Sequence, residues 1–159
     1  MDLAVLHELG HLRARLPELS GTVLATLDGM VLAHDAHDIE PDSIAALAAA
    51  HLALAARFAH AVNQGELRES VVECARGYIT TYTAGPHALL TVVTARDANL
   101  AMVHHEARRC VRKLVGLLAI EPPRPPVHPE IPAQATPLAR RTPMATLAGT
   151  IRRRPGGAA

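Results

Sequence analysis

The sequence predicts an α/β domain of the α+β kind: a five-stranded antiparallel sheet with helices on both faces, in the order α-β-β-α-β-β-β-α. Three observations lead there. Apolar residues recur at helical spacing in the stretches 2–16, 41–64 and 100–119. Between them, runs of β-branched and apolar residues are joined by the short links Asp28-Gly29 and Gly85-Pro86, the chemistry of tight hairpins. Past residue 120 the pattern stops, because nine of the twelve prolines lie there and proline cannot continue a helix.

The first helix, 2–16, is capped by Asp2, buries Val5, Leu9, Leu12 and Leu16 on one stripe, and is ended by Pro17. Residues 21–27 alternate as a strand, with Val23, Ala25 and Leu27 on one face and Thr22, Leu24 and Thr26 on the other. After the Asp28-Gly29 turn, 30–34 returns as its partner. Pro41-Asp42-Ser43 starts a long helix that runs to about Gln64 and stops at Gly65. Strands 69–76, 77–83 and 87–95 follow, and Arg96–Asn99 forms a turn and cap. The last helix places Leu100, Val103, Ala107, Val111, Leu114 and Leu118 on one stripe. Links this short join antiparallel neighbours.

The middle helix is apolar nearly all round. Ile44, Leu47, His51, Leu54, Phe58 and Val62 make the expected core-facing line. Ala45, Ala49, Leu52, Ala53 and Ala56 spread apolar surface over the remainder. Such a helix is normally covered on more than one side, and a single sheet covers one. A second copy of the chain is the expected cover, since alanine lets helix backbones approach closely. The neighbouring strand, with Val71 and Glu73, is expected to pair across the same axis and remove an exposed edge.

The chain has 159 residues, one domain's worth, with 49% hydrophobic and 19% charged residues, as in a globular protein. Aromatics are 2%, too few for base-stacking nucleic-acid modules. Residues 1–119 carry 10 Lys+Arg against 13 Asp+Glu, whereas 120–159 carry six Arg against two Glu. An acidic body with a basic tail excludes a nucleic-acid-binding core. Cys74 and Cys110 form no C-x-x-C pair and are expected to be reduced and buried. The N-terminus lacks the features of a signal peptide. The stretch 44–62, broken by His51, Arg57 and His60, is too polar for a membrane span.

Catalytic motifs are sparse. No phosphate-binding G-x-x-x-x-G-K-[ST] loop occurs, and the single lysine, Lys113, falls in a helix. No G-x-S-x-G elbow occurs either. His7 and His11 stand four apart on the first helix and can face one ion, and His104-His105-Glu106 adds donors. Without a third ligand at good spacing, no metal or other cofactor is expected. Arg108, Arg109, Arg112 and Lys113 read as a solvated basic face.

The element order, the strand-turn-strand Val23–Leu32 with its Asp-Gly turn, the segment Val71-Val72-Glu73-Cys74-Ala75-Arg76-Gly77-Tyr78-Ile79, and Glu106-Ala107-Arg108-Arg109 in the last helix together resemble the Roadblock/dynein light chain domain, a profilin-like architecture. The likeness spans 2–119, and its strand segment is similar to actinobacterial, conservon-type members. The resemblance implies a non-catalytic homodimer, joined through middle helices and neighbouring strands, that docks or regulates a small Ras-like GTPase. It further implies a sensor histidine kinase-like protein in the same cytoplasmic, membrane-proximal complex. Arg57 and Arg76 are the candidate partner-binding arginines. The alternative is a small-ligand sensor on a similar scaffold, which requires a polar-lined pocket.

Residues 120–159 read as a disordered Pro/Arg-rich tail. Pro143–Ile151 is an amphipathic piece, Thr142 follows Arg140-Arg141, and Arg152-Arg153-Arg154 offers weak attraction to an anionic membrane surface.

Overall fold

A computed structural model describes residues 3–120, with the side chain of the last outside the description. The Asp2 cap and every expectation for 121–159 lie outside the described residues. The elements are α1 (Leu3–Arg15), β1 (Leu19–Thr26), β2 (Val31–Ala36), α2 (Pro41–Ala61), β3 (Glu69–Cys74), β4 (Gly77–Ala84), β5 (Ala88–Ala95) and α3 (Leu100–Ile120). The order is the predicted one, with strand ends displaced by one to two residues.

All strand pairs are antiparallel in a single sheet ordered β2-β1-β5-β4-β3. The central β1 and β5 are covered on both faces. Leu24, Leu90 and Val92 enter one core with Val5, Leu9 and Leu12 of α1, Leu16 just past its end, and Val103, Ala107, Cys110 and Leu114 of α3. Val23, Ala25 and Leu89 enter a smaller core on the opposite face with α2. Alternation along each strand thus feeds two cores. At the ends of the sheet, β2 and β3 are edges.

Local chemistry explains the joints. Gly29 adopts φ +88°, and a Cβ there would stand 3.0 Å from Ala46 Cα, so the first hairpin turn presses on the start of α2. At Gly77 a Cβ would fall 2.0 Å from the Thr94 carbonyl oxygen, so only glycine lets β4 approach β5 there. The Asn99 side chain accepts from the Ala101 and Met102 amides at 3.0 and 3.3 Å and caps α3. Lys113 donates to both carboxylate oxygens of Glu8 at 2.8 and 3.0 Å, clasping α3 to α1.

Two expectations are corrected. Of the core-facing line expected on α2, Ile44 and His51 are partly buried and the rest is reversed. Leu47, Leu54, Phe58 and Val62 are exposed, and the residues buried against the sheet are Ala45, Ala48, Ala49 and Leu52. The sheet already presents Val23, Val31 and Leu89 there, so a helix seated this close is buried mainly through alanines, with Leu52 the larger side chain among them. The thiols also differ: Cys110 is buried as expected, but Cys74 is exposed, because edge strand β3 leaves it uncovered. By length and composition α2 is apolar enough to cross a membrane, yet its alanine row is packed on the sheet.

Candidate interaction surface

Helix α2 lies over β1, β2 and β5. The stripe Leu47, Leu54 and Phe58 follows steps of seven and four, so it occupies one side of the helix, away from the buried alanines. These three are 65%, 66% and 70% exposed. With Val62 they offer on the order of 400 Å² of apolar surface, as large as the patches that mark interaction sites.

The neighbouring half of the sheet completes the surface. His51, midway along the same side of α2, bonds through Nε2 to Ser70 Oγ of β3 at 2.7 Å. Ser70 therefore lies on the α2 face of the sheet, and so does Val72, two residues on. Ile79, paired directly with Val72, shares that face and stays partly exposed. Half-buried His51, expected on the core-facing line, thus ties α2 to the edge strand.

The predicted interface residues divide. Ala45, Ala49 and Leu52 are buried within the protomer and have no surface left for a partner, which corrects that part of the expectation. Ala53 and Ala56 are exposed on α2, and Val71 and Glu73 are exposed on β3, paired with Thr80 and Tyr78. Val71 and Glu73 lie on the α3 side of the sheet, whereas Val72 and Cys74 share the α2 side. Hydrophobicity alone does not mark Leu47, Leu54, Phe58 and Val72 as surface. Arg57 on α2 and Arg76 in the β3–β4 turn are both exposed, and neither has an ion-pair partner among the described residues.

The basic face of α3 is partly neutralised. Arg108 grips Glu69 of β3 through Nε at 2.9 Å and Nη2 at 2.5 Å. The Arg108 guanidinium beside it holds the Glu69 carboxyl below the usual range, against the opposing effect of burial. Tyr82 donates to, or accepts from, His104 Nδ1 at 2.9 Å. Burial first, and then the Glu69 charge, push its phenol well above the ordinary value. Glu69, Tyr82 and Arg108, with Leu67, Arg68 and Arg112, line a groove of about 580 Å³. Burial likewise pushes the Cys110 thiol up to about 12, which makes it an inert packing group.

One cluster escapes a reading by histidine spacing. His7, Glu8 and His11 of α1 bring their ligand atoms within 4.8 Å of one another. The two histidines lack a third ligand only while Glu8 is left out, and Glu8 is that group. The signal is local: His7-Glu8-Leu9-Gly10-His11 reads H-E-x-x-H.

The sequence model of the Roadblock/LC7 domain matches residues 6–94. A Roadblock/LC7 domain from Streptomyces avermitilis is 27% identical, with a TM-score of 0.66 over 71% of this chain and 96% of that one. The gliding protein MglB of Thermus thermophilus is 24% identical, with a TM-score of 0.66 over 74% of this chain and 90% of that one. MglB of Myxococcus xanthus is 16% identical, with a TM-score of 0.69 over 75% of this chain and 98% of that one. The last two share the fold. No curated protein matches the sequence.

Proposed function

The chain belongs to the Roadblock/LC7 domain family, and on that premise we propose that it is a non-catalytic homodimeric adaptor that binds and regulates a small Ras-like GTPase in a bacterial signalling complex. The observation that carries the proposal is the apolar side of α2: Leu47, Leu54 and Phe58 stand in water although the protomer's own cores are complete. Leaving that surface uncovered is unfavourable, and a second copy supplies the same surface in return. In this reading Leu47, Leu54, Phe58 and Val72 form the centre of the contact, Ala53 and Ala56 lie off that stripe, and the β3 edges carrying Val71 and Glu73 pair across the two-fold axis. The joined sheet then has no free β3 edge to recruit wrong partners.

A rigid dimer of this kind regulates a GTPase only if it binds one nucleotide state better than the other. Arg57 and Arg76, both exposed, are the proposed contacts for the partner's acidic groups. A sensor histidine kinase-like protein is a further proposed partner, in the cytoplasm and near the membrane. The test is a pull-down with a purified small Ras-like GTPase, loaded in turn with GDP and a GTP analogue. Retention of one state above the other, weakened in Arg57→Ala and Arg76→Ala, supports the proposal. Equal retention of both states, or none, refutes it.

A second reading, a small-ligand sensor, is favoured by the groove beside Tyr82, Arg68 and Arg108. A thermal-shift hit abolished by Arg68→Ala decides for it.

A further inference from the structure

Helix α1 carries a cluster that the adaptor reading does not use. We propose that His7, Glu8 and His11 form a binding site for a borderline divalent transition metal ion, of the class of Zn²⁺, Ni²⁺ or Cu²⁺. Residues four apart on a helix share a face, and the two imidazole rings stand with centroids 4.1 Å apart and planes tilted by 56°. The Glu8 carboxylate closes the third side, with Oε1 3.7 Å from His11 Nδ1. The ligand atoms lie within 4.8 Å of one another. A tetrahedral ion with metal–nitrogen bonds of about 2.0–2.1 Å holds its donors about 3.3 Å apart, a contraction that side-chain rotation supplies. Both histidines are exposed and free to turn, while Val5, Leu9 and Leu12 fix the helix backbone beneath them in the core. Two imidazoles and one carboxylate select this class of metal over Mg²⁺ or Ca²⁺, which take oxygen ligands.

The surroundings define what kind of site it is. In hydrolases with this motif the glutamate is a free base facing a substrate. Here both carboxylate oxygens of Glu8 are held by the Lys113 ammonium. The cavity beside Glu8, His11, Cys110 and Lys113 is about 20 Å³, room for a single water. The geometry therefore points to binding and not to hydrolysis. Lys113 already occupies the carboxylate as a cation, so an arriving ion must share or displace it. Metal binding is thereby set against the Glu8–Lys113 clasp that joins α1 to α3, and removal of the lysine charge strengthens the site.

The test is competition for Zn²⁺ between the full-length chain and a chromophoric chelator. We expect one ion per chain at micromolar affinity. His7→Ala and His11→Ala each remove a direct ligand and weaken it by about 100-fold or more, beyond the roughly 10- to 100-fold cost of losing a group that only hydrogen-bonds a ligand, with unchanged far-ultraviolet circular dichroism because both side chains are exposed. Lys113→Met tightens binding several-fold. No Zn²⁺ binding by the wild type, or equal affinity in the His7→Ala/His11→Ala double variant, overturns the site. An unchanged affinity in Lys113→Met overturns the assignment of Glu8 as the third ligand.

Discussion

Substituting Phe58 by Glu separates self-association from folding. Phe58 is 70% exposed in the protomer. Covering a whole large apolar side chain is worth roughly 1.5–3 kcal/mol, so covering the exposed part of this one is worth about 1–2 kcal/mol. A two-fold contact uses the residue twice, giving about 2–4 kcal/mol per dimer. Each 1.4 kcal/mol is about tenfold in affinity, so loss of the ring alone weakens the dimer by about 30- to 1,000-fold. The introduced carboxylate adds a desolvation penalty in the same direction. Sedimentation velocity over a range of concentrations measures the shift, and thermal unfolding monitors the fold. The expected result is a monomer with native circular dichroism. A Phe58→Glu protein that dimerises as tightly as the wild type refutes the reasoning, because the α2 stripe is then not the contact.

Other substitutions probe the protomer itself. Ala49→Glu places a charge in the α2–sheet core, so the whole fold is destabilised by about 3 kcal/mol or more, as read by urea denaturation. An Ala49→Glu protein that folds normally but loses only its dimer contradicts the seating of α2. Thr22 is fully buried and its hydroxyl has no hydrogen-bond partner among the described residues. Thr22→Val therefore raises stability by about 1 kcal/mol, and a fall in the urea midpoint argues against an unpartnered hydroxyl. Glu8 and Glu69 both sit below their ordinary value of 4.5. For Glu8, burial opposes the shift, but Lys113, with smaller help from His11 and His7, outweighs it. For Glu69, the Arg108 guanidinium is the main cause. The unfolded chain then binds more protons than the native one in the window just below 4.5, so stability falls as pH drops through that window and is complete above it. Lys113→Ala and Arg108→Ala flatten this acid limb in urea titrations at successive pH values. An unaltered limb contradicts the two carboxylate clasps.

The one-sided elements are legible in the sequence. Val5, Leu9, Leu12 and Leu16 mark a single stripe on α1, and all four are buried. The Asp28-Gly29 turn is equally explicit, since few residues other than glycine accept the φ of position 29. The middle helix defeats a reading by hydrophobicity. Leucine ranks above alanine on any apolar scale, which assigns Leu47 and Leu54 to the core, whereas closeness to a sheet already filled by Val23 and Leu89 demands alanine. Burial of a helix that is apolar all round is decided by size, and size complementarity is visible only once the facing strands are known. The exposure of Cys74 depends on β3 being an edge, which strand order settles and sequence order does not. The Glu8–Lys113 clasp joins residues 105 apart and the Arg108–Glu69 pair residues 39 apart, and no local pattern announces such pairs. The His7–His11 cluster is different: its whole pattern lies within five consecutive residues and is open to a direct reading.

In the proposed dimer the outward side of α2 is hidden by another copy of the same chain. Native mass spectrometry of the wild-type protein at micromolar concentration reads this without labels or partners. The expected dominant species has twice the chain mass of 16.9 kDa and dissociates when Leu54 and Phe58 are both changed to Glu. A wild-type protein found only at the single-chain mass contradicts it.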